Sequence, residues 1–194
     1  MFSAPSPKAG EIVACAQALL ASGGYHGFSY ADISDAVGIT KASIHHHFPS
    51  KAELVRTVVR QYRESARAGL AGLEERFDDP LAQLRAYTGY WASCLRERAS
   101  AFCICVMLAS ELPAIPTEVA QEVRGHFSDL ATWLASVLER GAAGRTLRLR
   151  DEPRAEAMAL MAAVHGAMLS ARALGDPEVF ARTVEPALQR LRPA

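Results

Sequence analysis

The sequence lacks an excess of charge of either sign. Its 194 residues hold 21 lysines and arginines against 21 aspartates and glutamates, so the formal net charge at pH 7 is zero. A strongly basic chain would attract nucleic acid through its global field, and this composition excludes that mode of binding. Any contact with DNA must therefore come from a local cluster of cations and from helix N-termini.

Long hydrophobic runs are also missing. No secretory signal opens the chain, and the longest uninterrupted apolar run, residues 101–109, is too short to span a bilayer. The four cysteines are Cys15, Cys94, Cys103 and Cys105. We therefore expect a cytoplasmic protein with reduced thiols and no membrane partner.

Motifs of the common enzymes and metal sites are absent as well. The sequence has no nucleophile elbow, no phosphate-binding loop and no metal-ligand spacing. His45, His46 and His47 are adjacent, but successive helix residues point about 100° apart and do not converge on one ion. We expect no enzyme, no cofactor and no metal. The best enzymatic alternative is a catalytic pair of Cys103 and His165, which no motif supports.

The pattern that is present is helical. Half of the residues are hydrophobic, β-branched runs are scarce, and apolar residues recur at helical spacing. The predicted fold class is all-α. Caps and periodicity predict helices over residues 8–21, 30–37, 41–47, 80–95, 101–112, 117–140, 153–174 and 177–191. A further helix begins at residue 51 and runs toward residue 67, with Gly69 and Gly72 weakening it near its end. We expect Pro186 to kink or split the last of these.

Two short helices joined by a tight turn lie near the N-terminus. Ser29 and Asp32 are spaced as a capping box, Gly38 suits a left-handed turn, and Thr40 caps the second helix. A helix-turn-helix needs a second helix that is free to enter the major groove of DNA. Its outer face here is small and polar: Lys41, Ala42, Ser43, His45 and His46. The alternative is a three-helix packing unit with no nucleic-acid role.

The segment from Phe28 to Leu54, FSYADISDAVGITKASIHHHFPSKAEL, resembles the N-terminal signature of the TetR family of transcriptional regulators. Residues 12–16 match the first helix of that family. The resemblance implies an N-terminal three-helix helix-turn-helix domain over residues 1–54 and a helical ligand-binding and dimerisation domain over residues 55–194. It also implies a homodimer that binds a palindromic double-stranded operator. Repression is the expected outcome, with activation as the alternative.

The same resemblance implies roles for individual residues. The family residues that contact the phosphate backbone or cap the recognition helix correspond here to Ser29, Tyr30 and Thr40. Base-reading positions fall on Lys41, Ala42, Ser43 and His45, and further phosphate positions on His46, His47 and Lys51. Protonation of the histidines below about pH 6.5 would strengthen phosphate contacts. An interaction module that has lost DNA binding is the remaining alternative.

Aromatic and sulfur-containing side chains concentrate in the middle helices. Effector pockets are mostly apolar with a few polar groups, so these residues are the pocket candidates. They are Tyr87, Tyr90, Trp91, Cys94, Phe102, Cys103, Met107, Glu111, Trp133, Met158, Met161 and His165. Core packing is the alternative for each of them. Glu111 and His165 are the most informative, because each is polar on a helix face that is otherwise apolar.

Small residues follow one another along the helix predicted over residues 153–174. They are Ala159, Ala162, Ala163, Gly166, Ala167 and Ala171. The family resemblance implies that this helix and the next pair with their copies in a four-helix dimer interface. Packing of the same residues within one chain is the alternative, and a two-fold interface can use the same stripe.

Residues 102–112, FCICVMLASEL, resemble a segment of TetR-type regulators that sense electrophiles and reactive chlorine through a cysteine, here Cys103. With Ser100 as the N-cap, Cys103 would lie in the first helical turn, where the dipole stabilises a thiolate. Arg172 matches a basic position of such sensors. We expect Cys105 on nearly the opposite face, which argues against a shared metal or a disulfide. The alternative is that these cysteines are small buried hydrophobes.

Overall fold

The computed structural model describes residues 6–97 and 102–193, and over these ranges the chain is helical without any strand. The helices are α1 (Pro7–Gly23), α2 (Tyr30–Val37), α3 (Lys41–His47), α4 (Lys51–Arg76), α5 (Pro80–Arg96), α6 (Ile104–Ala109), α7 (Thr117–Ala143), α8 (Pro153–Leu174) and α9 (Glu178–Gln189). The predicted all-α fold class is confirmed.

Side-chain caps account for the helix starts. The hydroxyl of Ser29 accepts a hydrogen bond from the N–H of Ala31, and the carboxylate of Asp32 accepts the N–H of Ser29 at 2.6 Å. At the start of α5, the carboxylate of Asp79 accepts the N–H of Ala82 at 3.0 Å. Such caps satisfy N–H groups that have no partner inside the helix, and they fix where each helix begins.

Several helices differ in extent from the sequence prediction. α6 runs only from Ile104 to Ala109 rather than over residues 101–112. α4 continues through Gly69 and Gly72 to Arg76, because a glycine inside a helix costs only about 1 kcal/mol relative to alanine. α7 continues to Ala143. α9 runs through Pro186 as one helix, so it is not split there, and the alternative expectation of a kink stays a prediction. Its buried face of Phe180, Val184 and Leu188 keeps α9 helical across the proline.

The first of two compact units comprises Met1–Glu64 and Ala101–His126. Within it, α1 packs on α2 and α6, and α2 packs on α3. Ile44 of α3 is fully buried and anchors this short helix in the core of the unit. The other large side chains of this unit that are fully buried are Ile12, Leu20, Ile33, Leu54, Ile104 and Leu108.

The second unit comprises Ser65–Ser100 and Phe127–Ala194, in which α8 packs on α9 and α5 packs on both. Its largest fully buried side chains are Leu84, Leu134, Leu138, Met168 and Phe180. Exposed ion pairs also join α5 to α9, with Arg96 Nε 2.8 Å from a carboxylate oxygen of Glu178. The predicted domain boundary between residues 54 and 55 stays a prediction.

Helix α8 is long and apolar enough to cross a membrane by length and composition alone. In its most apolar window, 44% of the residues are buried inside the chain, and core helices pass the same test. By itself this helix is weak evidence for a membrane protein. The sequence does not mark α8 as a candidate membrane span, because the hydropathy of this helix comes from scattered alanine, methionine and leucine rather than from an uninterrupted apolar run.

Candidate functional site

The turn between α2 and α3 is held by local hydrogen bonds. Gly38 adopts the left-handed conformation (φ 69°, ψ 38°), and its N–H donates to the carbonyl of Ser34 at 3.0 Å. The Ser34 hydroxyl donates to the carbonyl of Ile39 at 2.5 Å. Thr40 Oγ1 then accepts the N–H of Ser43 at 3.2 Å and begins α3. The predicted turn chemistry is therefore present, and it fixes the two helices of a helix-turn-helix.

The outer face of α3 is open to solvent. Ile44 is fully buried, and Phe48, which ends the helix, is 8% exposed. The exposed side chains are those of Lys41, Ala42, His45 and His46, while Ser43 and His47 are half-buried. This arrangement presents the predicted base-reading positions outward on an anchored helix. The DNA contacts of these residues stay predictions.

Tyr30 and His45 brace the corner between α3 and α4. Their rings meet edge to face with centroids 4.8 Å apart, and the Tyr30 hydroxyl donates to the carbonyl of Phe48 at 2.8 Å. Burial, followed by the negative charge of Glu53, raises the pKa of Tyr30 to about 12. The hydroxyl thus keeps its proton, which it donates within the protein. A phosphate contact from Tyr30 would compete with this hydrogen bond.

Lys51 is also engaged inside the first unit. Its ammonium donates a short hydrogen bond to the carbonyl of Phe28 and lies 4.1 Å from the centroid of the Phe28 ring and 4.8 Å from that of Tyr25. Burial lowers the pKa of Lys51, against the opposing effect of the negative charges of Glu111 and Asp32. The ammonium ties the start of α4 to the connection between α1 and α2.

Glu111 also contacts the connection between α1 and α2. A carboxylate oxygen of Glu111 accepts the backbone N–H of Tyr25 at 2.7 Å. Gly24, the residue before it, has φ 72° and ψ −166°, and an added Cβ there would lie 2.3 Å from the Glu111 carboxylate. We call Gly24, Tyr25, Lys51 and Glu111 the latch. The sequence predicts Glu111 as a pocket residue, and no sequence pattern indicates its contact with Tyr25.

Replacing Gly24 with alanine should destabilise the protein by roughly 1 to 3 kcal/mol, because its backbone conformation is one that only glycine adopts without strain. The added methyl group would also displace Glu111 from the latch. Gly23→Ala is the matched control, since nothing lies within 4 Å of a Cβ at that position. Urea unfolding followed by circular dichroism measures both variants. Equal stability of the two would contradict this account of Gly24.

Two cysteines lie together at the start of α6. Cys103 is the N-cap of α6 rather than a residue of its first turn, and the expected cap, Ser100, lies outside the described residues. Cys103 Sγ is 4.0 Å from Nε2 of His126, and its thiol also hydrogen-bonds with that of Cys105. The expectation of opposite faces is wrong, because helical spacing does not apply to a non-helical cap with φ −59° and ψ 113°.

The cluster shifts the pKa values of these two thiols in opposite directions. Burial raises the pKa of Cys103, but hydrogen bonds with Cys105, His126 and Tyr62, and the charge of His126, outweigh it and hold the pKa well below its ordinary value. Burial and the neighbouring Cys103 raise the pKa of Cys105. Within the part of the chain that the structure describes, no three His, Cys, Asp or Glu side chains could hold a metal ion.

The remaining pocket candidates are divided between the two units. In the second unit, the rings of Tyr87 and Trp133 have centroids 5.8 Å apart, and those of Phe127 and His165 are 5.1 Å apart. The indole N–H of Trp133 is buried without a hydrogen-bond acceptor among the described residues. Trp91 and Met161 are buried and Cys94 is half-buried, whereas Phe102 and Met107 belong to the first unit.

Two candidates are not enclosed as the sequence analysis expected. Tyr90 is 60% exposed and Met158 is 48% exposed. Their helices turn these side chains to solvent, because other residues of α5 and α8 form the buried faces. Helical periodicity alone did not fix which edge of each apolar stripe is buried.

Comparison with protein families gives two matches along the chain. The family described as bacterial regulatory proteins, tetR family, matches residues 12–58. The family described as tetracyclin repressor-like, C-terminal domain, matches residues 80–186. Together the two matches cover both the helix-turn-helix and most of the remaining helices.

Individual proteins agree with these matches. A TetR-family transcriptional regulator from Agrobacterium tumefaciens has a crystal structure with TM-score 0.96 and 53% identity, covering 98% of this chain and 100% of that one. The regulator CymR of Pseudomonas putida is 30% identical over 68% of this chain and 66% of its own length. The repressor KstR2 of Mycobacterium tuberculosis is 31% identical over 40% of this chain and 39% of its own length. The matched region is thus under two thirds of either curated relative.

Proposed function

The chain belongs to the TetR family of bacterial regulatory proteins, and we propose that it is a homodimeric repressor which an effector or a modified cysteine releases from its operator. As a member, it is a DNA-binding transcriptional regulator and not an enzyme. The observation that carries the proposal is the polar outer face of α3, held outward by the buried Ile44 and the Thr40 cap. KstR2 is itself named a repressor.

Two copies of α3 would read the operator. In a two-fold dimer, recognition helices enter successive major grooves about 34 Å apart, so the operator is palindromic. Lys41, Ala42, Ser43 and His45 contact base edges in this proposal. In this proposal the phosphates of the DNA backbone are contacted by Ser29, Tyr30, Thr40, His46, His47 and Lys51. Lys51 must first break its contacts within the latch.

The outer face of α8 supports the proposed dimer. The exposed residues along it are small or apolar: Ala155, Met158, Ala159, Ala162, Gly166, Leu169 and Ala173. Met158 and Leu169 on this face are each 48% exposed, so it carries large apolar side chains beside the small ones. Small side chains permit close helix approach, so a second copy of α8 would cover this face. Ala167 and Ala171 instead pack within the chain.

Release requires a conformer whose recognition helices no longer fit the operator spacing. A hundredfold loss of affinity needs only about 2.7 kcal/mol of preference for that conformer. The aromatic residues of the second unit would hold a non-covalent effector that is largely apolar and offers an acceptor to the Trp133 indole. Cys103 is the proposed site of covalent sensing. A regulator that binds operator DNA in this way would act in the cytoplasm.

Binding to its own promoter region tests the proposal. We expect fluorescence anisotropy to show tight binding to the DNA flanking the coding region and much weaker binding to a shuffled duplex. Because phosphate contacts release counterions, affinity should fall by about 10³-fold or more between 50 and 200 mM salt. Equal affinity for the native and shuffled DNA would contradict the proposal.

A further inference from the structure

The two thiols at the start of α6 are in contact and shielded from solvent. Cys103 and Cys105 are both 0% exposed, and their sulfur atoms share a hydrogen bond. Residues two apart have Cα atoms at most about 7 Å from each other, which is within reach of a disulfide. His126 and Tyr62 complete the cluster, with ring centroids 5.5 Å apart.

We propose that Cys103 and Cys105 are a two-electron thiol–disulfide switch, which a small neutral peroxide oxidises and which thereby lowers DNA affinity. The inference rests on the repressor function proposed above, and it adds the resolving thiol and the class of oxidant. Cys103 is the attacking sulfur and Cys105 is the resolving one.

The position of His126 assigns these two parts, because its Nε2 lies 4.0 Å from Sγ of Cys103. The contacts with His126 and Tyr62 favour the thiolate of Cys103, and a thiolate is the form that attacks a peroxide. Cys105 keeps its proton in the reduced protein, because a second negative charge beside Cys103 is unfavourable. Only one of the two sulfurs is therefore primed for the first step.

The reaction balances with hydrogen peroxide as the oxidant. Cys103 Sγ attacks one peroxide oxygen, the O–O bond breaks, and the departing hydroxide takes up the proton that Cys103 had released and leaves as water. Cys103 is then a sulfenic acid. Cys105 Sγ attacks Cys103 Sγ, the S–O bond breaks, and the second hydroxide leaves as water with the Cys105 proton. Two thiols and one peroxide become one disulfide and two waters.

Burial selects the kind of oxidant. A bulky thiol reagent cannot approach sulfurs that are 0% exposed, whereas a molecule close to water in size and without charge can enter by local fluctuation. The other two cysteines, Cys15 and Cys94, are half-buried and are therefore the ones open to larger reagents. Burial raises the pKa of Cys15, so its thiol is a poor nucleophile.

Helix α6 connects the cluster to the latch within the first unit. Cys103 caps its beginning, and Glu111 follows two residues after its last residue, Ala109. A disulfide would draw the cap toward Cys105 and displace a helix of six residues, which also packs on α1. The displacement reaches the Glu111 contact with Tyr25, and through it the connection between α1 and α2.

Mass spectrometry of the full-length protein tests the chemistry. Reduced protein is treated with stoichiometric hydrogen peroxide, denatured with iodoacetamide, and digested with trypsin, which leaves both cysteines in one peptide, residues 99–124. We expect this peptide to lose about two mass units and to escape alkylation. In Cys105→Ser protein, we expect a sulfenic acid at Cys103 that dimedone traps. Cys15→Ser is the control and should still form the disulfide. Unoxidised wild-type peptide would overturn the proposal.

DNA anisotropy on the same samples tests the consequence. We expect peroxide to weaken operator binding of wild type and Cys15→Ser by at least about tenfold, with recovery after dithiothreitol, and to leave Cys105→Ser bound. Equal release of Cys105→Ser would assign sensing to Cys103 alone and overturn the switch. A disulfide that leaves DNA binding unchanged would overturn it as well. Reduced wild type that binds no operator would instead refute the repressor function, and the peptide masses would still decide the chemistry.

Discussion

Replacing Glu111 with alanine should lower the free energy of unfolding by about 2 kcal/mol, because a hydrogen bond to a charged acceptor contributes roughly 1.5 to 3 kcal/mol. The substitution leaves the N–H of Tyr25 without its acceptor and removes one of the two negative charges, Glu111 and Asp32, that act on the ammonium of Lys51. The connection between α1 and α2 would then loosen, and operator affinity should fall with it. Urea unfolding and DNA anisotropy measure the two effects.

Two further variants separate the causes of this effect. Glu111→Gln keeps an oxygen that can accept the Tyr25 N–H and removes only the charge. Its free energy of unfolding should therefore fall by less than half of the loss caused by Glu111→Ala. Glu139→Ala removes an exposed carboxylate on α7 and should be close to neutral. If Glu111→Ala were as stable as Glu139→Ala, the latch would have no energetic role.

Replacing Lys41 with alanine should reduce operator affinity by about 10- to 100-fold, since a good base contact contributes roughly 1 to 3 kcal/mol of discrimination. The side chain is exposed at the first position of α3, so stability should not change. Binding to a shuffled duplex should change much less, because Lys41 is proposed to contact a base edge. Anisotropy with both duplexes, at one salt concentration, measures the difference.

His46→Ala provides the contrasting result on the same helix. As a phosphate contact, it should weaken binding to native and shuffled duplexes by similar factors. Arg124→Ala removes one exposed positive charge away from α3 and serves as the control. Equal losses from Lys41→Ala on both duplexes would exclude base reading by that residue.

The helix-turn-helix could be predicted from sequence because its determinants are local. The capping box of Ser29 and Asp32, the left-handed Gly38 and the Thr40 cap each act within a few residues of the chain. Chemistry at that range depends on residue type and spacing, which the sequence states directly. The same holds for Asp79 at the start of α5.

The latch and the thiol pair could not be predicted in the same way. Tyr25 and Glu111 are 86 residues apart, and no sequence motif relates a backbone N–H to so distant a carboxylate. Cys103 and Cys105 were assigned to opposite faces because helical geometry was assumed for both, whereas the backbone of Cys103 is that of a cap. One change in local conformation reversed the expected relation of the two thiols.

The discontinuity of the first unit determines when the regulator can become functional during its synthesis. The DNA-binding helices lie within Met1–Glu64, but their unit also includes Ala101–His126, which is translated much later. A nascent chain that has emerged only to residue 64 has no α6 and no Glu111, so the connection between α1 and α2 lacks its acceptor. Folding of this unit therefore cannot finish in simple N-terminal order. A protein truncated after residue 64 would have an incomplete first unit and would not act as an unregulated DNA-binding protein.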